Sequence, residues 1–364
     1  MKRSLSTVSS HLEVLGQRFP TDDYTNLTPA VIAKSSLQLH LKPNHPLSTL
    51  RQLIESAYPS FSHLSSISPL VTPFQNFDEL SFPPDHPGRA ITDSYYVNRN
   101  MMLRTHTSAH EVEMFRKGGT KWLVTADVYR RDEIDASHYP VFHQVEGAQI
   151  FDASPSAMKE VAEDSERLSR ILAKKDILIE DVPHISPTNP VQSTHNPVYS
   201  ELLVKNLKLS LNHLLLKIFG EVSGSSKENP LRVRWIEAYF PFTSPSFEVE
   251  VFFHGKWLEI LGCGVVRQST LDTARKSRTL TSSEEAFTHV FRRREQNWLG
   301  IWTWARTNSD GSLLDTRYPS LLVPGSPFPL TVSAGKDQRL QIVFQVPFLL
   351  QRCQFLDSAE HGLP

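Results

Sequence analysis

Between His138 and Gly147 the chain reads HYPVFHQVEG, which sets His138, His143, Gln144 and Glu146 within a run that has the apolar content of a strand. Side chains alternate across a strand, so Gln144 and Glu146 share one face while His143 and Val145 share the other. A glutamine and a glutamate side by side suit an ammonium group. Arg130, on the preceding apolar segment, carries a planar fork that suits a phosphate or a carboxylate. Two such strands could hold an amino acid and a phosphate next to each other; a solvated polar strand face is the plain alternative.

Two further stretches carry chemistry. LRTHTSAH, Leu103 to His110, sets hydroxyls and imidazoles on a short polar segment. YFPFTSPSFEVEV brings Phe240 and Phe242 to a strand end, with Glu248 and Glu250 following. If the strand continues through Pro241, the two rings point the same way and could form an aromatic wall. Core packing is the alternative for both.

These residues need elements to position them. KWLVTADVYRR and PVFHQVEGAQIF flank a polar, acidic link and read as two antiparallel strands around a loop. LRVRWIEAYF and SFEVEVFF alternate at period two, and HGKW turns the second into LEILGCGVV. HPLSTLRQLIESAY starts on Pro46, a good first helical residue, with Leu47, Leu50, Leu53, Ile54 and Ala57 at helical spacing. SAMKEVAEDSERLSRILAKKD and YSELLVKNLKLSLNHLLLKIFG read as two more helices, the second stopped by Gly220. Residues Ser60 to Pro87, dense in Pro and Ser, read as a long irregular connection. Hairpins with helices between them predict an α+β fold with an antiparallel sheet, not a doubly wound parallel one.

Composition narrows the classes. The 364 residues are 39% hydrophobic and 21% charged, an ordinary balance for a globular chain with a core. A formal net charge of −1 gives no global basic field, so a nucleic-acid partner would need a local patch. Cys263 and Cys353 are too few for a disulfide framework or a cysteine-rich zinc site, and a reducing compartment fits them. No apolar run nears the roughly 20 residues that span a bilayer, so no membrane is expected. Neither a GxGxxG nor a GxxxxGK[ST] loop occurs. The opening MKRSLSTVSSH is basic, Ser-rich and free of acids until Glu13, like a mitochondrial presequence or a plain terminus.

DHPGRAITDSYYVN, LRTHTSAH, DVYRRDEIDASHYPVFHQVEG, YFPFTSPSFEVEVFF and WLEILGCGVV, in this order and spacing, resemble the catalytic core of phenylalanyl-tRNA synthetases. The likeness is closest to the single-chain mitochondrial form and runs from about Lys42 to Ala274. It implies the class II synthetase catalytic fold, an antiparallel sheet flanked by helices, followed by a disordered or poorly packed tail. It implies a phenylalanine–tRNA ligase: ATP-dependent activation of phenylalanine, then transfer to tRNA(Phe), in the mitochondrial matrix, with a monomer favoured. NHPL and its helix look like motif 1, and VYRRD with HYPVFHQ like motif 2. Arg130 would hold the α-phosphate of ATP, with His138 near the phosphates. Gln144 and Glu146 would receive the substrate ammonium, and His106 and Ser108 its carboxylate side. Phe240 and Phe242 would line the phenyl pocket, and Glu259 would contact ligand. Ala109, His110, Glu111, Ser137, Tyr139 and Val145 fall among the substrate-contacting positions. Glu111 stands where the family often has Gln, which adds a negative charge near the site. Mg²⁺ would bridge the phosphates, with Glu248 and Glu250 as candidate helpers. Two other readings share the fold: a non-catalytic synthetase-like protein binding RNA or a partner, and a small-molecule amide ligase.

The expected organisation is an N-terminal segment at 1–40 that includes the presequence-like stretch, a catalytic core at 41–275, and a divergent tail at 276–364. The resemblance calls for motif 3 after Ala274, a Gly-rich strand and helix with an ATP-clamping Arg, and then an anticodon-binding domain. Neither is present as translated. Trp has the single codon TGG, so a frame advanced by one base reads GG plus the next base, always Gly. Trp298, Trp302 and Trp304 therefore force G-x-x-x-G-x-G, and allowed codons let that frame read IGWAFGLGLERI, the motif 3 pattern with its Arg. The same shift turns VPFLLQRCQFLDS into KYPSCYKDVSFWIP, which resembles the entry to the anticodon-binding domain. The tail thus reads as a frame-shifted motif 3 and domain start.

Overall fold

The structure is a computed structural model that describes residues 11–131, 139–220, 223–253 and 255–276, and beyond them the backbone of a strand at 298–308 and of shorter segments. The amino-terminal part holds β1 (His11–Val14), β2 (Gln17–Pro20), α1 (Pro29–Ser35), α2 (Pro46–Glu55), β3 (Ser62–Leu64), β4 (Leu70–Val71) and α3 (Pro73–Asn76). Next come β5 (Tyr96–Asn98), β6 (Met101–Leu103), α4 (Glu111–Arg116), β7 (Lys121–Tyr129), β8 (Val141–Asp152) and α5 (Pro155–Leu172). The rest is β9 (Ile177–Glu180), α6 (Pro197–Phe219), β10 (Leu231–Glu237), β11 (Thr243–Phe253), β12 (Lys256–Val266), α7 (Gln268–Lys276) and β13 (Trp298–Asn308).

The main sheet runs β3-β7-β8-β13-β12-β11-β10-β9. Its inner pairs are antiparallel, and only the outer β3–β7 and β9–β10 pairs in this order are parallel. The α+β expectation holds, as do the two hairpins read from period-two alternation. Gly255, at φ +81°, supplies the left-handed residue in the β11–β12 turn.

Alternation sorts the sheet into two faces. Val233 and Trp235 of β10, Phe247, Val249 and Val251 of β11, and Leu261 and Cys263 of β12 turn toward the helices and share one core with Leu47, Leu50, Leu203, Leu207 and Leu211. Each such buried aliphatic contributes about 1.5–3 kcal/mol by leaving water. The helices that cover this face start on side-chain caps: His45 accepts from Leu47 N–H, Ser154 from Ala157 N–H, and Asn196 from the N–H groups of Val198 and Tyr199. A proline follows each cap at the first helical position, where its missing N–H costs nothing. The other face carries Gln144, Glu146, Gly262, Gly264 and Glu248 beside a second core in which Trp122, Val124, Ala126 and Ala148 meet Val112, Phe115 and Leu271.

One region departs from the sequence reading. The 60–87 stretch is not one irregular connection. Within it Thr72 and Gln75 form a reciprocal capping box on α3, and β3 and β4 each join a sheet. Hydrophobic periodicity cannot reveal elements of two to four residues, because less than one turn or one alternation repeats. Residues 11–35 also belong to the folded body: Val14, Leu27 and Val31 share a core with Tyr95, Val97, Leu103, Tyr129 and Val141.

Candidate active site

A cavity of about 870 Å³ opens on the polar face of the sheet. It is lined by His106, Ser108, Arg130, Gln144, Phe240, Phe242, Glu248 and Glu259, residues drawn from segments up to 153 positions apart in sequence (Glu259 against His106). Phe82, His86, Tyr239 and Arg267 complete it.

One wall is aromatic. The Phe240 and Phe242 rings stack at 6.2 Å and 21°, Phe82 lies 6.0 Å from Phe242, and the His106 imidazole stacks on Phe82 at 5.5 Å and 15°. Such offset stacking makes a flat aromatic slot. Burial first, and then the Arg130 charge, hold His106 down at about 3, so its imidazole is neutral.

Arg130 stands where β7 leaves the sheet. Its Nε donates to the Thr105 carbonyl at 3.1 Å and its guanidinium lies 5.2 Å from the Phe142 ring centre. Both contacts orient the fork before any ligand arrives, the preorganisation that makes a cation effective on a developing charge.

The two strand residues separate in depth. Gln144 lines the cavity and accepts from Thr107 N–H at 3.1 Å. Glu146 lies one layer beneath, fully buried, and its Oε2 accepts the hydroxyls of Thr107 and Ser108, each at 2.7 Å. Glu146 thus pins the 107–108 turn that roofs it and sets a buried negative charge below the cavity floor. Floor space also depends on glycine: a Cβ on Gly264 would sit 2.5 Å from the Pro245 carbonyl oxygen and 2.9 Å from the Thr243 Cβ.

The turn is held from behind. Arg104, 1% exposed, donates to the carbonyls of Asp127, Ile67 and Ser68, to the Asp127 carboxylate and to His110 Nε2. Asn76 exchanges two hydrogen bonds with Thr105. Tyr129 donates to Asp127 at 2.5 Å; burial would raise that carboxyl, but the Arg104 charge and these hydrogen bonds draw it down.

The other expected positions scatter around this centre. Ala109 packs in a small core with Val71, Phe77, Tyr96 and Met102. His110 belongs to the Arg104 network, and Glu111 is fully buried beside it. Val145 turns to the helix-side core, as alternation requires. Tyr139 meets Lys34 of α1. Glu250 is gripped by Arg234, whose Nε donates at 2.7 Å. Ser137 and His138 lie outside the described residues, as does most of the tail.

Sequence reasoning missed Phe82, His86, Tyr239, Arg267 and the Arg104–Asp127 pair. Phe82 and His86 sit in the Pro-rich stretch, where no period marks a facing side; only LRTHTSAH, which contains Arg104, gave any signal. A second cavity of about 770 Å³ lies on the opposite side of the sheet, against α5 and α6, and of the expected site residues it is lined by Val145. Among the described residues, no helix is long and apolar enough to cross a membrane and no group of three or more His, Cys, Asp or Glu is placed to hold a metal.

Residues 32–171 and 188–282 match the family described as tRNA synthetases class II core domain (F). A mitochondrial phenylalanine–tRNA ligase of Saccharomyces cerevisiae is 40% identical over 291 residues, covering 72% of this chain and 62% of that protein. Its counterpart in Rattus norvegicus is 41% identical over 273 residues, covering 72% of this chain and 53% of that protein. This chain therefore spans a little over half the length of such relatives. A pyrrolysyl tRNA synthetase of Desulfitobacterium hafniense superposes with a TM-score of 0.35 at 10% identity, covering 74% of this chain and 70% of that one.

Proposed function

The chain belongs to the class II tRNA synthetase core family, and from that membership we propose that it is a phenylalanine–tRNA ligase of mitochondria, working in the matrix as a monomer. The observation that carries the reading is one cavity that combines the flat Phe240–Phe242 slot, the Gln144 amide over the buried Glu146 charge, and the preset Arg130 fork.

In this reading the phenyl ring enters the aromatic slot and the ammonium meets Gln144, with Glu146 supplying the opposite charge from below. His106 and Ser108 orient the carboxylate. One carboxylate oxygen attacks the α-phosphorus of ATP, the bond to the β-phosphate breaks, and pyrophosphate leaves. Arg130 is aimed at the charge that builds on the α-phosphate oxygens, where a fixed guanidinium helps more than it does in the ground state. A tRNA hydroxyl then attacks the acyl carbon and AMP departs.

Class II synthetases use ATP and magnesium. The hard carboxylate oxygens of Glu248 and Glu259, both on the cavity wall, fit Mg²⁺. When bound, the ion neutralises charge on the phosphate oxygens. Glu250, already paired with Arg234, is the poorer candidate.

The division into a lead-in at 1–40, a core at 41–275 and a tail at 276–364 stands as part of the proposal, with the tail read one base out of frame. Register supports it. Trp302 of β13 pairs with Ala148 and Gly264, and Trp304 with Glu146 and Gly262. These positions cross the ligand-bearing part of the sheet, where three of the four flanking partners, Ala148, Gly262 and Gly264, are small. In the advanced frame both tryptophans become glycine.

Phenylalanine-dependent exchange of label between pyrophosphate and ATP tests the activity, and charging of tRNA(Phe) tests the transfer. Absence of phenylalanine-dependent exchange would favour the non-catalytic reading, and product formation without tRNA the amide-ligase reading. The transcript across codons 274–297 tests the frame: if it encodes the tail as written, the frame proposal fails and the non-catalytic reading gains.

A further inference from the structure

Glu111 opens α4 with its side chain fully buried, and neither carboxylate oxygen has a hydrogen-bond partner. A chain of bonds ties it to the second buried acid of the site: Glu111 N–H donates to the Ser108 carbonyl, and the Ser108 hydroxyl donates to Glu146 Oε2. Glu146 is as deeply buried, yet two hydroxyls stabilise it as an anion. An ionised carboxylate with no donor and out of water is among the costliest arrangements a protein interior can hold.

Among the described residues, the cations and imidazole nearest Glu111 in the chain are engaged by other partners. His110 is engaged by Arg104 and Glu113, Arg116 by Glu79, and Lys117 by Glu113. On α7, which packs on α4, Arg275 faces Asp272. Burial pushes the Glu111 carboxyl well up, and the Glu146 charge pushes it further.

We propose that Glu111 is held protonated while Glu146 is ionised, so that the two buried acids present a single negative charge. Glu111 is then a neutral acid, a hydrogen-bond donor with the shape of glutamine. With the function proposed above, on which this last step rests, one charge below the floor matches one substrate ammonium.

The experiment uses the whole chain without substrate, so its outcome is independent of any ligase activity. Infrared spectroscopy on protein labelled with ¹³C-glutamate should show the carbonyl stretch of an un-ionised carboxyl near neutral pH, and Glu111→Gln should remove it. Thermal melting gives a second reading. The folded-state value of Glu111 lies above its unfolded value of about 4.3, so the stability it contributes is complete below that pH and is lost as pH rises through the folded value. The Tm advantage of Glu111→Gln over the parent should therefore widen from about pH 5 to about pH 8. Either of two results overturns the proposal: no un-ionised carboxyl band in the parent, or a Tm difference that stays flat across that range. The band in the parent needs no variant, so a poorly folding Glu111→Gln would still leave the proposal open to refutation.

Discussion

Arg104 and Asp127 form a buried ion pair whose side chains are 1% and 6% exposed, with the Arg104 Nη2 donating to the Asp127 carboxylate at 2.5 Å and its Nε to the Asp127 carbonyl at 2.6 Å. The pair joins β7 to the start of the 105–110 turn, and so fixes the height of His106 and Ser108 above the sheet. Replacing Arg104 with Met keeps much of the volume but strands the carboxylate. Breaking one side of a buried pair costs about 3–5 kcal/mol. Urea unfolding should show a loss of that size; a loss under about 1 kcal/mol would mean that Asp127 is satisfied without Arg104.

Arg130→Lys keeps a positive charge but removes the planar fork. Adenylate formation should slow by about 10²–10³-fold with the melting temperature unchanged. Pyrophosphate exchange, measured in protein expressed from its own transcript, checks this. A rate within a few-fold of the parent would remove Arg130 from the phosphate.

The stacked Phe240 and Phe242 offer the ring faces of a substrate no polar partner. Tyrosine would bury an unpaired hydroxyl there at about 1–3 kcal/mol, so phenylalanine should compete at least about tenfold better. Equal inhibition by the two amino acids would return these rings to a purely structural role.

His143 lies under the site on the helix side of β8, 5.1 Å from the His40 ring. Burial holds it at about 3, against an ordinary value of 6.5. Its folded value is depressed, so below about pH 6.5 the unfolded chain binds the extra proton and stability falls with pH. His106 acts in the same direction. Melting temperature should drop between about pH 6.5 and about pH 4.5, and less steeply in His143→Gln. Parallel curves for parent and variant would show that His143 is free to protonate in the folded state.

Much of the frame is legible without coordinates. Period-two runs announce β10 and β11, Pro46 with its spaced leucines announces α2, and the two strands flanking the acidic link announce the β7–β8 hairpin on which Arg130 and Gln144 stand. The physical reason is local: alternation and capping are decided by neighbours within a few residues. The same locality explains what failed to show. Alternation puts Gln144 and Glu146 on one face but says nothing of depth, and depth separates them. Gln144 reaches the cavity, while Glu146 is covered by Thr107 and Ser108, 39 and 38 residues earlier in the chain. Phe82 joins the aromatic wall from a Pro-rich stretch with no period of its own. Arg104 is an unremarked residue until Asp127, 23 positions on, closes over it. The sequence by itself determined the longer strands and helices and which face their residues take. Only the tertiary structure decided which of those residues meet water, which meet ligand and which meet one another, because contacts between distant segments depend on how the layers stack.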